Sequence, residues 1–318
     1  MKKLKKITAV IIAICVVFTS GYLSSSYRQA TEDSEGGATY SLLAKRLFID
    51  NPNDIRLDFR QLNKSLLADL EAGLGENDEK VSVYFEYLPS GVSFSINPEL
   101  EAVAASLMKT EIAMHVYKVA ERGGLSLGDL ITITADMLDP TYGSFHETAL
   151  GNTYTLKDLV TIMLHESDNT ALKAIKSALS GKINPFELSD YVGIKSTGDE
   201  NGRLLLSSKS YSSIFKCLYL ACYNTQRDSQ EILNILTQTN FTDRLPGLLP
   251  ESTVVAHKIG TFYEEYQSDC GIVYVGSGDS DYLVCIMVSH KDPEASKEIA
   301  RMSYKIFSYV TAASQAAQ

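Results

Sequence analysis

Three short motifs in this 318-residue chain bring together side chains able to perform covalent chemistry. Ser106-Leu107-Met108-Lys109 opens an amphipathic stretch that continues through Ile112, Val116 and Val119. Positions three apart on a helix share a face, so the amine of Lys109 can reach the hydroxyl of Ser106. A serine is a poor nucleophile without a base. A lysine acts as that base only where burial or a nearby cation lowers its pKa. The N-terminus of the same helix offers backbone N–H groups and a positive dipole end where an oxyanion would form. The second motif, Ser167-Asp168-Asn169, falls where one helix ends near His165 and another begins near Thr170. These are favoured helix N-caps, so a purely structural role explains them equally well. The third, His257-Lys258-Ile259-Gly260-Thr261, ends an edge-like strand, where a glycine permits close approach of a ligand to the backbone. Its bland reading is a strand running into a turn with one solvated lysine.

The elements that must position these motifs are legible from periodicity. Apolar residues at Leu62, Leu66, Leu67 and Leu70 predict a helix from Phe59 to Ala72, ended by Gly73 and Gly75. Val81 to Tyr87 alternates, Pro89-Ser90-Gly91 turns the chain, and Val92 to Ile96 returns, which predicts a hairpin. From Ser106 to about Leu249 the pattern is helical, with a capping box at Thr155-Leu156-Lys157-Asp158. Strands follow at Thr253–Ala256, Gly271–Val275 and Tyr282–Val288, then a final helix from about Pro293 to Thr311. This order predicts an α+β fold. A five-stranded, mostly antiparallel sheet carries helices from both chain ends, with an all-helical subdomain of residues 106–249 beside it.

Composition narrows the class. Hydrophobic residues make up 45% of the chain, ample for a sizeable core. The net charge of −10 argues against a nucleic-acid partner. Lys2, Lys3, Lys5 and Lys6 precede an almost wholly apolar run from Ile7 to Phe18, the pattern of an export signal. No A-x-A-like site follows, Ile14 before Cys15 excludes a lipoprotein signal, and the run is shorter than the ~20 residues of a spanning helix. Residues 1–26 are therefore read as a signal peptide or membrane anchor, 27–58 as a polar linker, and 59–318 as the catalytic domain of an envelope protein, exported and monomeric. Cys217 and Cys222 are five apart on a predicted helix and so point to different faces. Cys270 and Cys285 lie on strands expected to pair, where a disulfide is geometrically possible, but buried thiols are the expected state of all four. The five histidines form no H-E-x-x-H pair and no metal-ligand spacing exists, so no metal and no cofactor are expected. A G-x-S-x-G elbow is also absent.

In order and spacing, the three motifs resemble the class A β-lactamase and penicillin-binding D,D-peptidase family, marked by S-x-x-K, S-D-N and K-T-G. The resemblance covers residues 59 to 318 and includes Tyr154–Leu159 and Asp269–Val273. It implies that Ser106 is the acylated nucleophile, Lys109 its base, and Ser167 the relay of a proton to the leaving nitrogen. It implies that Asn169 holds Lys109 and a substrate amide, and that Lys258 lowers the pKa of Lys109 and attracts a substrate carboxylate. The backbone N–H groups of Ser106 and Thr261, beside Gly260, would form the oxyanion hole. The implied substrate is a β-lactam or a peptidoglycan-type amide.

Two departures stand out. Ile259 replaces the hydroxyl residue of K-T/S-G, a hydrogen bond to a charged group worth about 1.5–3 kcal/mol; Thr261, on the same strand face, is placed to substitute in part. The loop glutamate that activates the deacylating water in class A enzymes, in an E-x-x-x-N context, has no clear counterpart in the short segment from Gly193 to Arg203. Glu200 is the one candidate there, without an Asn four residues on. Slow turnover of the acyl-enzyme is expected. A D,D-peptidase or peptidoglycan amidohydrolase, and a non-catalytic wall-binding or β-lactam-sensing domain, are the alternatives.

Overall fold

The protein is described by a computed structural model for residues 59–74, 81–194, 197–198, 203–263, 266–276, 280–289 and 294–315. The signal and linker segments, Cys15, Glu200 and His290 lie outside these residues.

Helix α1 (Arg60–Leu74) leads to the hairpin β1 (Val81–Tyr87) and β2 (Val92–Ile96). The helical part contains α2 (Met108–Glu121), α3 (Leu156–His165), α4 (Asn169–Leu179), α5 (Ser208–Tyr219) and α6 (Gln226–Leu236). Strands β3 (Val254–Phe262), β4 (Tyr266–Tyr274) and β5 (Tyr282–Val288) then precede α7 (Glu294–Gln315). The sheet order is β2-β1-β5-β4-β3 with every neighbouring pair antiparallel, so β3 and its lysine motif form an edge.

Alternation along β1 divides the two faces of the sheet. Val81, Val83 and Phe85 join Leu62 and Leu66 of α1 and Ile299 and Ile306 of α7 in one core. Ser82 and Glu86 point to the opposite face, where Ser82 Oγ meets Ser208 Oγ at 2.7 Å and Lys216 Nζ donates to Glu86 Oε1 at 2.6 Å. That second face is covered by α5, so the central strand β5 is buried along its whole length and reads as an unbroken apolar run. Helix α2 is buried on almost every side, from Lys109 and Thr110 to Val119, as expected of a helix running through a core. The capping box at Thr155 and Asp158 forms as the sequence predicts.

The helical part also carries short ribbons that periodicity does not reveal. Leu130–Thr132 pairs with Thr153–Thr155. Glu101–Val103 pairs with Leu204–Ser207, and Leu204–Leu205 pairs back onto Thr197–Gly198. Segments of two to four residues are too short for a period-2 signal to emerge.

The cysteines correct the expectation of buried thiols: Cys217–Cys222 and Cys270–Cys285 are both disulfides. Helix α5 ends at Tyr219 and Ala221 adopts a left-handed φ of 49°, so the chain turns back and brings the first pair to a Cα separation of 5.0 Å. Extending the helix through Cys222 had placed these side chains on different faces. Cys270 and Cys285 are direct cross-strand partners, 4.0 Å apart at Cα. On peptide mapping of unreduced, denatured protein these four cysteines should take up no alkylating reagent. Replacing Cys270 and Cys285 by alanine should lower stability by about 3 kcal/mol in a denaturant melt, the loop entropy of a bridge closing 15 residues.

Candidate active site

Ser106 sits in a tight turn of 3-10 helix, Ala105–Leu107, immediately before α2. Ala105 holds a left-handed φ of 44°, a conformation that costs an alanine on the order of 1–3 kcal/mol and persists only where surroundings enforce it. Three contacts enforce it. Ala104 N donates to Leu204 O at 3.0 Å, and the buried Tyr211 hydroxyl donates to Leu107 O at 2.5 Å. From the sheet side, Gly260 of β3 lies so close that a Cβ there would stand 2.9 Å from Leu107 Cγ and 3.2 Å from Ala104 O. The glycine of the lysine motif therefore lets the edge strand pass against the serine turn.

Lys109, the second residue of α2, is 1% exposed and surrounded by acceptors. Its Nζ lies 3.0 Å from Ser106 Oγ, 2.8 Å from Asn169 Oδ1 and 3.3 Å from Ser167 Oγ, with a further very short bond to Ser167 O. Burial pulls its pKa down to about 8; Asp168 and Asp139 oppose the fall and Lys176 adds to it. Ser167 has a left-handed φ of 54° at the α3–α4 junction, which turns both its carbonyl and its hydroxyl towards the lysine. Asp168 has the structural role that N-cap statistics suggest: its carboxylate accepts from Ala171 N at 2.8 Å and Phe145 N at 3.1 Å. Gly143 packs against it so tightly that a Cβ would fall 2.1 Å from Asp168 Oδ2. The loop 139–145 is thereby stitched to the junction, and Asn169 N adds a bond to Tyr142 O at 3.0 Å.

Lys258 is fully buried, and its Nζ donates to Ser167 Oγ at 2.9 Å and to Ile259 O at 3.1 Å. Ser167 Oγ thus stands between two lysine amines. Burial holds Lys258 well below the ordinary lysine range, and repulsion from Lys109 pushes it further. Burial leads the depression of Lys109, and the two buried lysines repel one another. Phe241 and Tyr142 place their rings 5.6 Å from Lys258 and 5.9 Å from Lys109, respectively.

Sequence reasoning missed two residues. Arg244, in the loop after α6, is buried and donates to Gly260 O and Ser268 O at 2.8 Å each and to Thr261 Oγ1 at 2.7 Å. Asp269 accepts from Leu245 N at 3.0 Å and is 2.9 Å from His257 Nδ1, pinning both the arginine loop and the lysine strand. A lone arginine in a loop and a strand aspartate carry no local signal; only the fold brings them to the motif. Ile259 is 1% exposed and pairs across the ladder with Asp269, so it presents neither a hydroxyl nor open surface. Of the histidines, His115 is buried with its pKa lowered to about 4 by desolvation, and His146 Nδ1 lies 3.1 Å from Gly143 O. Among the described residues no cluster of His, Cys, Asp or Glu could hold a metal ion.

The family described as "Beta-lactamase enzyme family" matches residues 64–310. The chain is 24% identical over 256 residues to β-lactamase VEB-1 of Pseudomonas aeruginosa, covering 68% of this chain and 78% of that protein. It is also 24% identical over 230 residues to a β-lactamase of Bacteroides uniformis, covering 64% and 77%. Among solved structures, PBP-A superposes with a TM-score of 0.70 at 22% identity, over 78% of this chain and 96% of that one. A β-lactamase from Chitinophaga pinensis gives 0.69 at 21%, over 78% and 98%. The structural likeness establishes the fold, and the match over residues 64–310 establishes the kinship: the chain belongs to the β-lactamase enzyme family, alongside the class A β-lactamases and penicillin-binding serine hydrolases.

Proposed function

We propose that the protein is an exported serine hydrolase acylated at Ser106 by β-lactams or related amides, and that it releases the acyl group slowly. The observation that carries this reading is the buried Lys109 amine 3.0 Å from Ser106 Oγ, with its pKa near 8. At pH 7 roughly a tenth of such an amine is the free base. Lys109 takes the Ser106 proton as Oγ attacks the carbonyl carbon, and the backbone N–H groups of Ser106 and Thr261 receive the oxyanion. As the C–N bond breaks, Ser167 delivers a proton to the leaving nitrogen and is resupplied by a neighbouring lysine. Asn169 orients the donor's amide. Lys258 and the Thr261 hydroxyl, the latter held by Arg244, receive its carboxylate.

Slow release rests on the segment between the helix Glu187–Val192 and the strand Leu204–Ser207, a short hairpin paired at Thr197–Gly198. Glu200 would lie in that segment, and no other glutamate is offered by it. One relative is known as an acyl-enzyme complex with penicillin G, a variant of PBP-A. The short hairpin equally favours a D,D-peptidase or peptidoglycan amidohydrolase, while the shielded Ile259 favours a domain that binds wall or antibiotic without turnover. Export and anchoring at the outer face of the membrane rest on the four lysines and apolar run at the N-terminus; a monomer is the proposed state.

Intact-mass measurement with a fluorescent penicillin should show an adduct that persists for many minutes and vanishes in Ser106→Ala. A transient adduct with loss of antibiotic would make the protein an efficient β-lactamase and direct attention to Glu200→Gln. The acylation rate should climb as pH rises through about 8 and then level off, because Lys109 acts only when unprotonated. A flat profile would remove Lys109 as the base. Ile259→Thr should speed acylation by carboxylate-bearing penicillins by about tenfold, the lower end of a charged hydrogen bond, with stopped-flow labelling as the readout.

A further inference from the structure

A second polar chain runs from Lys109 through Asn169, and the proposed reaction makes no use of its members beyond Asn169. Asn169 Oδ1 accepts from Lys109 at 2.8 Å, and Asn169 Nδ2 donates to Thr141 Oγ1 at 2.8 Å. The Thr141 hydroxyl donates in turn to Asp139 Oδ1 in a very short contact, and Thr141 N donates to the same oxygen at 3.0 Å. Asp139 Oδ2 closes the chain in an ion pair with Lys173 Nζ at 3.1 Å. The backbone of Asp139 is fixed as well, with its N–H on Thr170 Oγ1 at 2.9 Å in the first turn of α4.

The direction of each bond matters. Thr141 has one hydroxyl proton and it is committed to a carboxylate, which can only accept. Its lone pairs must therefore receive the Asn169 N–H. Asn169 is left with a single orientation, in which Lys109 meets an acceptor rather than a donor. The Asp139 carboxylate thus fixes an amide two hydrogen bonds away and adds its own field. Charged groups facing Lys109 come from every side: Asp168 at the α3–α4 junction, Lys176 on α4, Lys258 on β3 and Asp139 in the loop, with Asp139 acting to keep the amine protonated. The Asp139 side chain is 17% exposed and that of Lys173 is 46% exposed, so the chain ends at solvent.

We propose that Asp139 is a positioning residue that sets the basicity of Lys109 and the orientation of the Asn169 amide through Thr141, with Lys173 controlling how much of its charge the lysine feels. This rests on the reading of Lys109 as the base for acylation, and it concerns an inward control of that base from the protein surface.

The test reads the lysine directly. In full-length protein carrying 13C-labelled lysine, the Lys109 Cε signal is assigned with Lys109→Arg and titrated with pH. Asp139→Asn keeps the shape and the acceptor but removes the charge, and should lower the Lys109 midpoint by ~0.5 pH unit, a remote version of a direct ion-pair effect. Lys173→Gln, at an exposed position, should raise it by a comparable amount. In a Thr141→Val background the effect of Asp139→Asn should shrink. The rising limb of the acylation profile should follow, about threefold in rate at a fixed pH on the limb. Opposite shifts from the two charge variants are not a consequence of general loosening. Midpoints unchanged in both variants overturn the proposal, and an undiminished effect in the Thr141→Val background overturns the route through Thr141. If the midpoints shift while the acylation profile stays fixed, the control of Lys109 stands and its role as the base falls.

Discussion

The structure depends on burying two lysine amines within hydrogen-bond reach of one serine hydroxyl. An ammonium taken out of water is heavily penalised unless it finds partners or gives up its proton. Both pressures are visible here: Lys109 is ringed by oxygen acceptors yet burial pulls its pKa down to about 8, and burial holds Lys258, with fewer acceptors, well below the ordinary lysine range. The arrangement destabilises the charged form of the amine that the proposed reaction uses as its base. It also explains why Ser106, Ser167 and Asn169 converge on one point, since each supplies an oxygen that makes the burial tolerable.

Meeting that demand fixes much of the surrounding fold. Two non-glycine residues, Ala105 and Ser167, hold left-handed backbone conformations on either side of Lys109, and each is locked by contacts from neighbouring elements. Tyr211 from α5 and Gly260 from β3 hold the serine turn, while Asp168 and Gly143 hold the junction. Strain of this kind persists only on a scaffold that overdetermines it. The central helix, the fully buried β5 and the two disulfides provide such a scaffold.

Much of this was legible in the sequence because the signals are local. The β1–β2 hairpin, the capping box at Thr155 and the long amphipathic helices follow from period and turn chemistry within ten residues or so. The site motifs were legible for a similar reason, since Ser106 and Lys109 share one helical turn and Ser167 and Asn169 flank one cap. What escaped depends on non-local geometry. Cys217 meets Cys222 only because α5 stops early, and Arg244 reaches Thr261 only because Asp269 of β4 pins the intervening loop. The Lys109–Asn169–Thr141–Asp139 chain likewise links residues of no shared motif.

The hairpin at residues 197–207 has a consequence for how such a scaffold could change over evolutionary time. Its second strand is anchored to Glu101–Val103, immediately ahead of the serine turn, so the segment is tied to the strand that leads into Ser106. Lengthening a surface loop carries a small entropic penalty, about 0.6 kcal/mol for each doubling. A lineage could therefore lengthen this loop, and recruit a water-activating carboxylate with it, without disturbing the buried lysines. On the reading proposed above, the step from a protein that traps an antibiotic once to one that destroys it repeatedly would need a surface insertion rather than a rebuilt core.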